Sequence, residues 1–240
     1  MTLLWPQGLL ASLVVAFAAC VQGSIGFGSA LIAAPLLVLI DPALVPGPLI
    51  ASGLVLTALL SLRERREVDA GGVARLLVGS VAGTVAAAVL LRRLSDAGFS
   101  VVFALLVLLA VALSALGIRV RPTTINITLA GLLSGFMGTT SSIGGPPAAL
   151  MYQHMPGARL RGTLAVYFLV SSSLALVALA WVGRFGAREA SFALVLLPGA
   201  VGGYLISGYT TGLLDGGYTR PVVLVLSAAA GISLLLRELG

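Results

Sequence analysis

The sequence has no lysine, one cysteine and one histidine, and only 9% of its 240 residues are charged. Each scarcity excludes something. A lone cysteine, Cys20, inside an apolar run gives no disulfide framework and no metal-ligand spacing. A lone histidine, His154, gives no credible nucleophile–base pair, and the chain carries no HExxH, GxSxG or P-loop motif. Soluble domains are roughly a quarter charged. A chain with so few charges cannot cover a water-facing surface, so lipid must solvate most of its exterior.

What is abundant agrees with this. Hydrophobic residues make up 59% of the chain, and the mean hydropathy is +1.12. All fourteen basic residues are arginines, and they sit in short groups: Arg63, Arg65, Arg66 and Arg75; Arg92 and Arg93; Arg119 and Arg121; Arg159 and Arg161; Arg184 and Arg188; Arg220 and Arg237. Seven of the eight acids lie in or beside these groups, and Asp41 stands apart in a Pro-rich turn. The net charge of +6 therefore reads as loop charge facing lipid headgroups, not as a nucleic-acid surface. The N-terminus has no basic region or cleavage site and reads as a first membrane segment.

Between the charged groups the pattern predicts full membrane spans near 43–62, 72–91, 98–118, 162–183, 189–211 and 219–236. Two further apolar regions are interrupted. Residues 3–40 contain the polar run 22–29, and residues 124–156 contain the run 138–147. The interruptions correspond. Ser24-Ile25-Gly26 matches Ser142-Ile143-Gly144 at an offset of 118. Gly79–Gly83 resembles Gly199–Gly203 at 120, and Asp96–Phe99 resembles Asp215–Tyr218 at 119. The expected fold is all-α and polytopic, with two tandem repeats, 1–122 and 123–240, forming one transport domain. Each repeat has four to five membrane segments and opens with a broken helix.

If each broken helix crosses once, the repeats are parallel; if it returns as a hairpin, they are inverted. Counting arginines by alternate loops gives nine against five in both cases, so charge does not choose. Both cases place the 63–75 loop in the cytoplasm. Length favours the inverted form. One helix over 3–40 would extend about 55 Å, against a hydrocarbon core of about 30 Å.

Unwound backbone survives in a membrane only when buried in protein or lining a wet cavity. Two polar, Gly-rich breaks in matching positions therefore point to a transport site. Short helices are expected to start near Ser29 and near Pro146. Their free N–H groups and dipoles favour an anion. The candidate binding residues are Gln22, Ser24, Gly26, Phe27 and Gly28 in the first break. In the second they are Thr139, Thr140, Ser141, Ser142, Gly144, Gly145 and Pro146. Gly lets backbone approach a ligand, and the hydroxyls and the Gln22 amide can donate hydrogen bonds. No arginine lies in either break, so the anion would be held by neutral donors. Gly83, Gly131, Gly135, Gly202 and Gly203 read instead as close-packing positions. Tyr152, Tyr167 and Ser171–Ser173 are further candidates for a cavity wall. His154 is the candidate proton-coupling group. Trp5 and Trp181 read as interfacial anchors.

The runs Gln22-Gly23-Ser24-Ile25-Gly26-Phe27-Gly28 followed by Pro35, and Gly131 to Gly138 leading into Ser142-Ile143-Gly144-Gly145-Pro146-Pro147, resemble the TauE/SafE family of sulfite exporters. The duplicated layout extends the likeness over essentially the whole chain. The resemblance implies an inner-membrane carrier of sulfite, sulfonates or thiosulfate, driven by an ion and not by ATP. The expected function is therefore secondary transport of a small sulfur oxyanion, in the direction of export, with no cofactor or metal. The expected partners are the anion, a coupling ion taken as H+, membrane lipid and a second copy of the chain in a homodimer. The competing readings are a channel-like or scaffold membrane protein and a membrane enzyme.

Overall fold

A computed structural model describes residues 5–116 and 120–214, with 224, 225, 227–229, 232, 233 and 236. The helices are α1 (Trp5–Ile25), α2 (Ser29–Ile40), α3 (Gly47–Arg63), α4 (Ala70–Arg93), α5 (Asp96–Ala115), α6 (Thr124–Ser141), α7 (Gly145–Tyr152), α8 (Gly157–Trp181) and α9 (Ala187–Leu214). Six are long and apolar enough to cross a membrane: α1, α3 with the turn before it, α4, α5, α8 and α9. Side chains such as Leu9, Phe17, Val78, Val85, Leu194 and Leu205 point outward from them. The chain is a polytopic helical membrane protein. Five expected spans coincide with α3, α4, α5, α8 and α9 to within a few residues. The expected span 219–236 and the Asp215–Tyr218 match fall largely outside the described residues.

Helix starts are set by local chemistry. Asp69, Ser95 and Thr123 accept from the N–H groups of Gly72, Gly98 and Asn126, which caps α4, α5 and α6. The Asp41 carboxylate accepts from Ala43 N at 2.9 Å, so this isolated acid does hold a turn.

Two seams of small residues carry the closest packing. A Cβ on Gly79 or Gly83 would strike the Thr128 and Leu132 carbonyls of α6, and one on Gly131 would strike Leu76 of α4. On the other side, a Cβ on Gly199 or Gly203 would strike the Ser12 and Ala16 carbonyls of α1. Backbones this close gain dispersion contacts that lipid tails cannot match. Gly202, expected to pack in this way, faces open space. Gly199 takes its part, because positions four apart share a helix face and 202 is turned away from it.

These contacts also fix directions. Gly79 and Gly83 follow Thr128 and Leu132 in order, so α4 and α6 run in parallel. The same holds for α9 and α1. Gly47 meets Phe185 while Gly162 meets Glu64, so α3 and α8 are antiparallel. Arg63, ending α3, reaches the Gly23 carbonyl near the end of α1. Hence α1, α3 and α9 point one way, and α4, α6 and α8 the other. Between them, α2 starts beside the end of α1 and leads into the Pro42–Leu44 turn, where α3 begins. It therefore returns. On the other side, α7 returns likewise, since Tyr152 at its end meets Gly72 at the start of α4. Trp5 and Trp181, 93% and 72% exposed, lie at the same end of the bundle.

Candidate functional site

The first break is made by glycine. Gly26 has φ 103° and donates its N–H to the Gln22 carbonyl at 2.7 Å, which ends α1. Gly28, at φ 106°, opens α2. Both angles are left-handed, where glycine alone is unstrained. The second break is made by Ser142, at φ 67°, whose N–H closes α6 on the Gly138 carbonyl at 2.9 Å. A non-glycine residue there costs about 1–2 kcal/mol. The Ser142 hydroxyl donates to the Pro46 carbonyl at 3.1 Å, which helps to hold it.

Both breaks are shorter than the polar runs that announce them. Gln22, Gly23 and Ser24 remain in α1, and Gly138 to Ser141 remain in α6. Ser24 and Ser141 turn their hydroxyls onto the carbonyls four residues back, Cys20 and Met137, at 2.9 and 2.8 Å. Those bonds let polar residues sit inside a membrane helix without unwinding it.

The two breaks touch. A Cβ on Gly145 would lie 3.5 Å from the Phe27 Cβ and 3.8 Å from the Gly28 nitrogen. Beside this junction is a cavity of about 80 Å³. A water needs on the order of 10–15 Å³ of such space, so the cavity suits a few waters or one small oxyanion. Its lining includes Gln22, Gly28, Thr139, Ser142, Gly144, Gly145 and Pro146, seven of the residues expected from sequence. The other walls come from α3 (Leu49–Thr57) and α8 (Phe168–Ala175). None of the described lining residues is ionisable.

Five expected residues do not line the cavity. Ser24 bonds Thr210 on α9 at 3.0 Å. Gly26 faces Leu160 and Arg161 at the start of α8. Phe27 packs into the apolar cluster of α4, α6, α7 and α8. Ser141 is turned back on its own helix, and the Thr140 hydroxyl is buried with no hydrogen-bond partner among the described residues. Ser171 and Ser172 do line the cavity, whereas Ser173 is exposed and Tyr152 and Tyr167 are buried behind it. His154 sits in the exposed turn after α7, away from the lining.

Several lining residues carry no sequence signal. Ser52, Thr57 and Ser134 look like ordinary small helix residues, yet folding brings their helices to the breaks. The Ser134 hydroxyl donates to the Gly144 carbonyl and anchors the start of α7. Backbone donors are fewer than two helix starts suggest. Pro146 and Pro147 have no N–H, and the Ile143 N–H is directed at Ser141, leaving the Gly144 and Gly145 amides at the second break. The first break adds the opening amides of α2 and the Gln22 amide, whose oxygen accepts from Ser29.

The geometry is that of an integral membrane protein whose helices surround a small cavity, partly open, where neutral donors sit among apolar side chains. Residues 11–234 match the model of the sulfite exporter TauE/SafE family, and the chain belongs to that family of transporters. No curated protein and no solved structure matches it.

Proposed function

We propose that the chain is a secondary transporter that exports a small sulfur oxyanion: sulfite, an organosulfonate or thiosulfate. The carrying observation is that two breaks over a hundred residues apart in sequence meet at one cavity whose described lining sets neutral hydroxyls and the Gln22 amide among apolar side chains, with no charge among them. Neutral donors bind an anion without the deep well of a fixed positive charge, which suits a site that must release its load. Family membership supports the substrate class.

The reading extends to architecture. The chain is an inverted repeat of 1–122 and 123–240. Its support is reciprocal: α1 packs on α9 as α6 packs on α4, with α1 and α6 running oppositely. Alternating access then comes from one bundle moving against the other around the junction of the breaks. The coupling ion is H+. The protein sits in a bacterial inner membrane with the 63–75 loop in the cytoplasm, which puts nine arginines inside and five outside.

The test is flux into proteoliposomes of sulfite, thiosulfate, sulfoacetate and sulfate, with and without a proton gradient. Saturation and counterflow of at least one of the first three, accelerated by the gradient, are expected. Unsaturable flux indicates a channel. No movement of any of the four removes the function proposed.

A further inference from the structure

Sequence places no arginine in either break, but folding delivers one to the first. Arg63 ends α3, and its guanidinium donates to the Gly23 carbonyl in the last turn of α1. It also donates to Ser207 Oγ at 3.0 Å and stacks over the Tyr204 ring at 5.4 Å, both on α9. Glu64 holds it in place at 3.4 Å and also binds Arg161 Nε at 3.1 Å. All three charged side chains are largely covered, with 14–24% exposure. Arg161 in turn lies against Gly26.

The location matters electrostatically. The end of a helix carries about half a negative charge on its unpaired carbonyls. The end of α1 lies beside the cavity, because Gln22, the neighbour of Gly23, lines it. Uncompensated, those carbonyls would repel an anion. Arg63 ties up one of them and cancels the local charge. Two guanidiniums and one carboxylate leave the cluster with a net positive charge, one residue behind the lining. In the last turn of α6 the Gly138 carbonyl accepts from the Ser142 N–H and the Met137 carbonyl from the Ser141 hydroxyl, both neutral donors.

We infer that Arg63 is a positioning residue for the anion: without touching it, it sets the potential of the first break so that an anion can bind there. The inference rests on the transport function above. The test uses the full chain in proteoliposomes and whichever of sulfite, thiosulfate or sulfoacetate the wild type moves. Arg63→Gln keeps a donor for Gly23 but removes the charge, and KM should rise about tenfold or more with Vmax changed far less. Arg63→Lys should restore most of the affinity. Glu64→Gln makes the cluster more positive, so KM should fall. A mere clamp predicts the opposite, since breaking Glu64 would then harm transport as breaking Arg63 does. If Arg63→Gln does not insert stably, Glu64→Gln and Arg161→Gln, expected to move KM in opposite directions, decide the question alone. Equal damage from all substitutions, or an unchanged KM in Arg63→Gln, overturns the inference and leaves transport standing. A wild type that moves no anion overturns both.

Discussion

The two breaks perform one task with different materials. The first uses glycines at positive φ, buries Gly26 but leaves Gly28 partly uncovered, and has a partly buried Arg63–Glu64–Arg161 cluster behind it. The second forces a serine into the same left-handed region, buries Ile143 and Gly144 beside it, and is tied by hydroxyls from Ser134 and Ser142. The first is permissive in backbone and compensated by charge. The second is locked by packing and neutral hydrogen bonds. At one junction, then, the same left-handed turn is supplied by glycine in one break and by serine in the other.

That contrast can be attacked most strongly at Gly144. A Cβ there would lie 2.7 Å from the Ser134 carbonyl and 3.1 Å from its hydroxyl. Gly144→Val should abolish flux and cost about 1–3 kcal/mol of stability, the usual range for overpacking. Retained transport with an unchanged melting temperature in detergent would mean the second break is not locked. A smaller, opposed pair of effects compares the left-handed positions. Gly28 has open space but a strained angle, so Gly28→Ala should lose about 1 kcal/mol from backbone strain alone. Ser142→Gly relieves strain and loses one hydrogen bond of about 1 kcal/mol, so it should be nearly neutral. Thermal unfolding of the two variants side by side checks the sign of the difference. The smallest effect is at Thr140, whose buried hydroxyl has no hydrogen-bond partner among the described residues. Thr140→Val should leave stability unchanged or raise it by up to about 1 kcal/mol. A clear loss would show that this hydroxyl has a hydrogen-bond partner in the working protein.

Much of this was legible in the sequence. Helix spans follow from apolar length, and the glycine- and serine-rich runs mark where helices stop. The likeness of Gly79–Gly83 to Gly199–Gly203 marks two positions that meet the same fate, each packed on a carbonyl ridge. What sequence could not give depends on side-chain direction and on distant helices. Ser24 and Ser141 look like open-chain donors, but back-bonding keeps them helical. Ser52, Thr57 and Ser134 become lining only because α3 and α6 pack around the breaks. Arg63 reads as an ordinary loop charge until the end of α3 is laid beside the end of α1. The arginine count could not separate a parallel from an inverted chain, whereas the order of glycine contacts along two seams gives the helix directions.

Those seams have a consequence for how the protein is made. The glycine faces of α4 wait for α6, and the carbonyl ridge of α1 waits for α9, the last helix described along its length. As the chain leaves the ribosome, α1 therefore stays without its main neighbour until α2 to α8 have been inserted. The bundle closes only once α9 has followed α8, and an early fragment ending near residue 122 would be left with two unfilled grooves facing lipid.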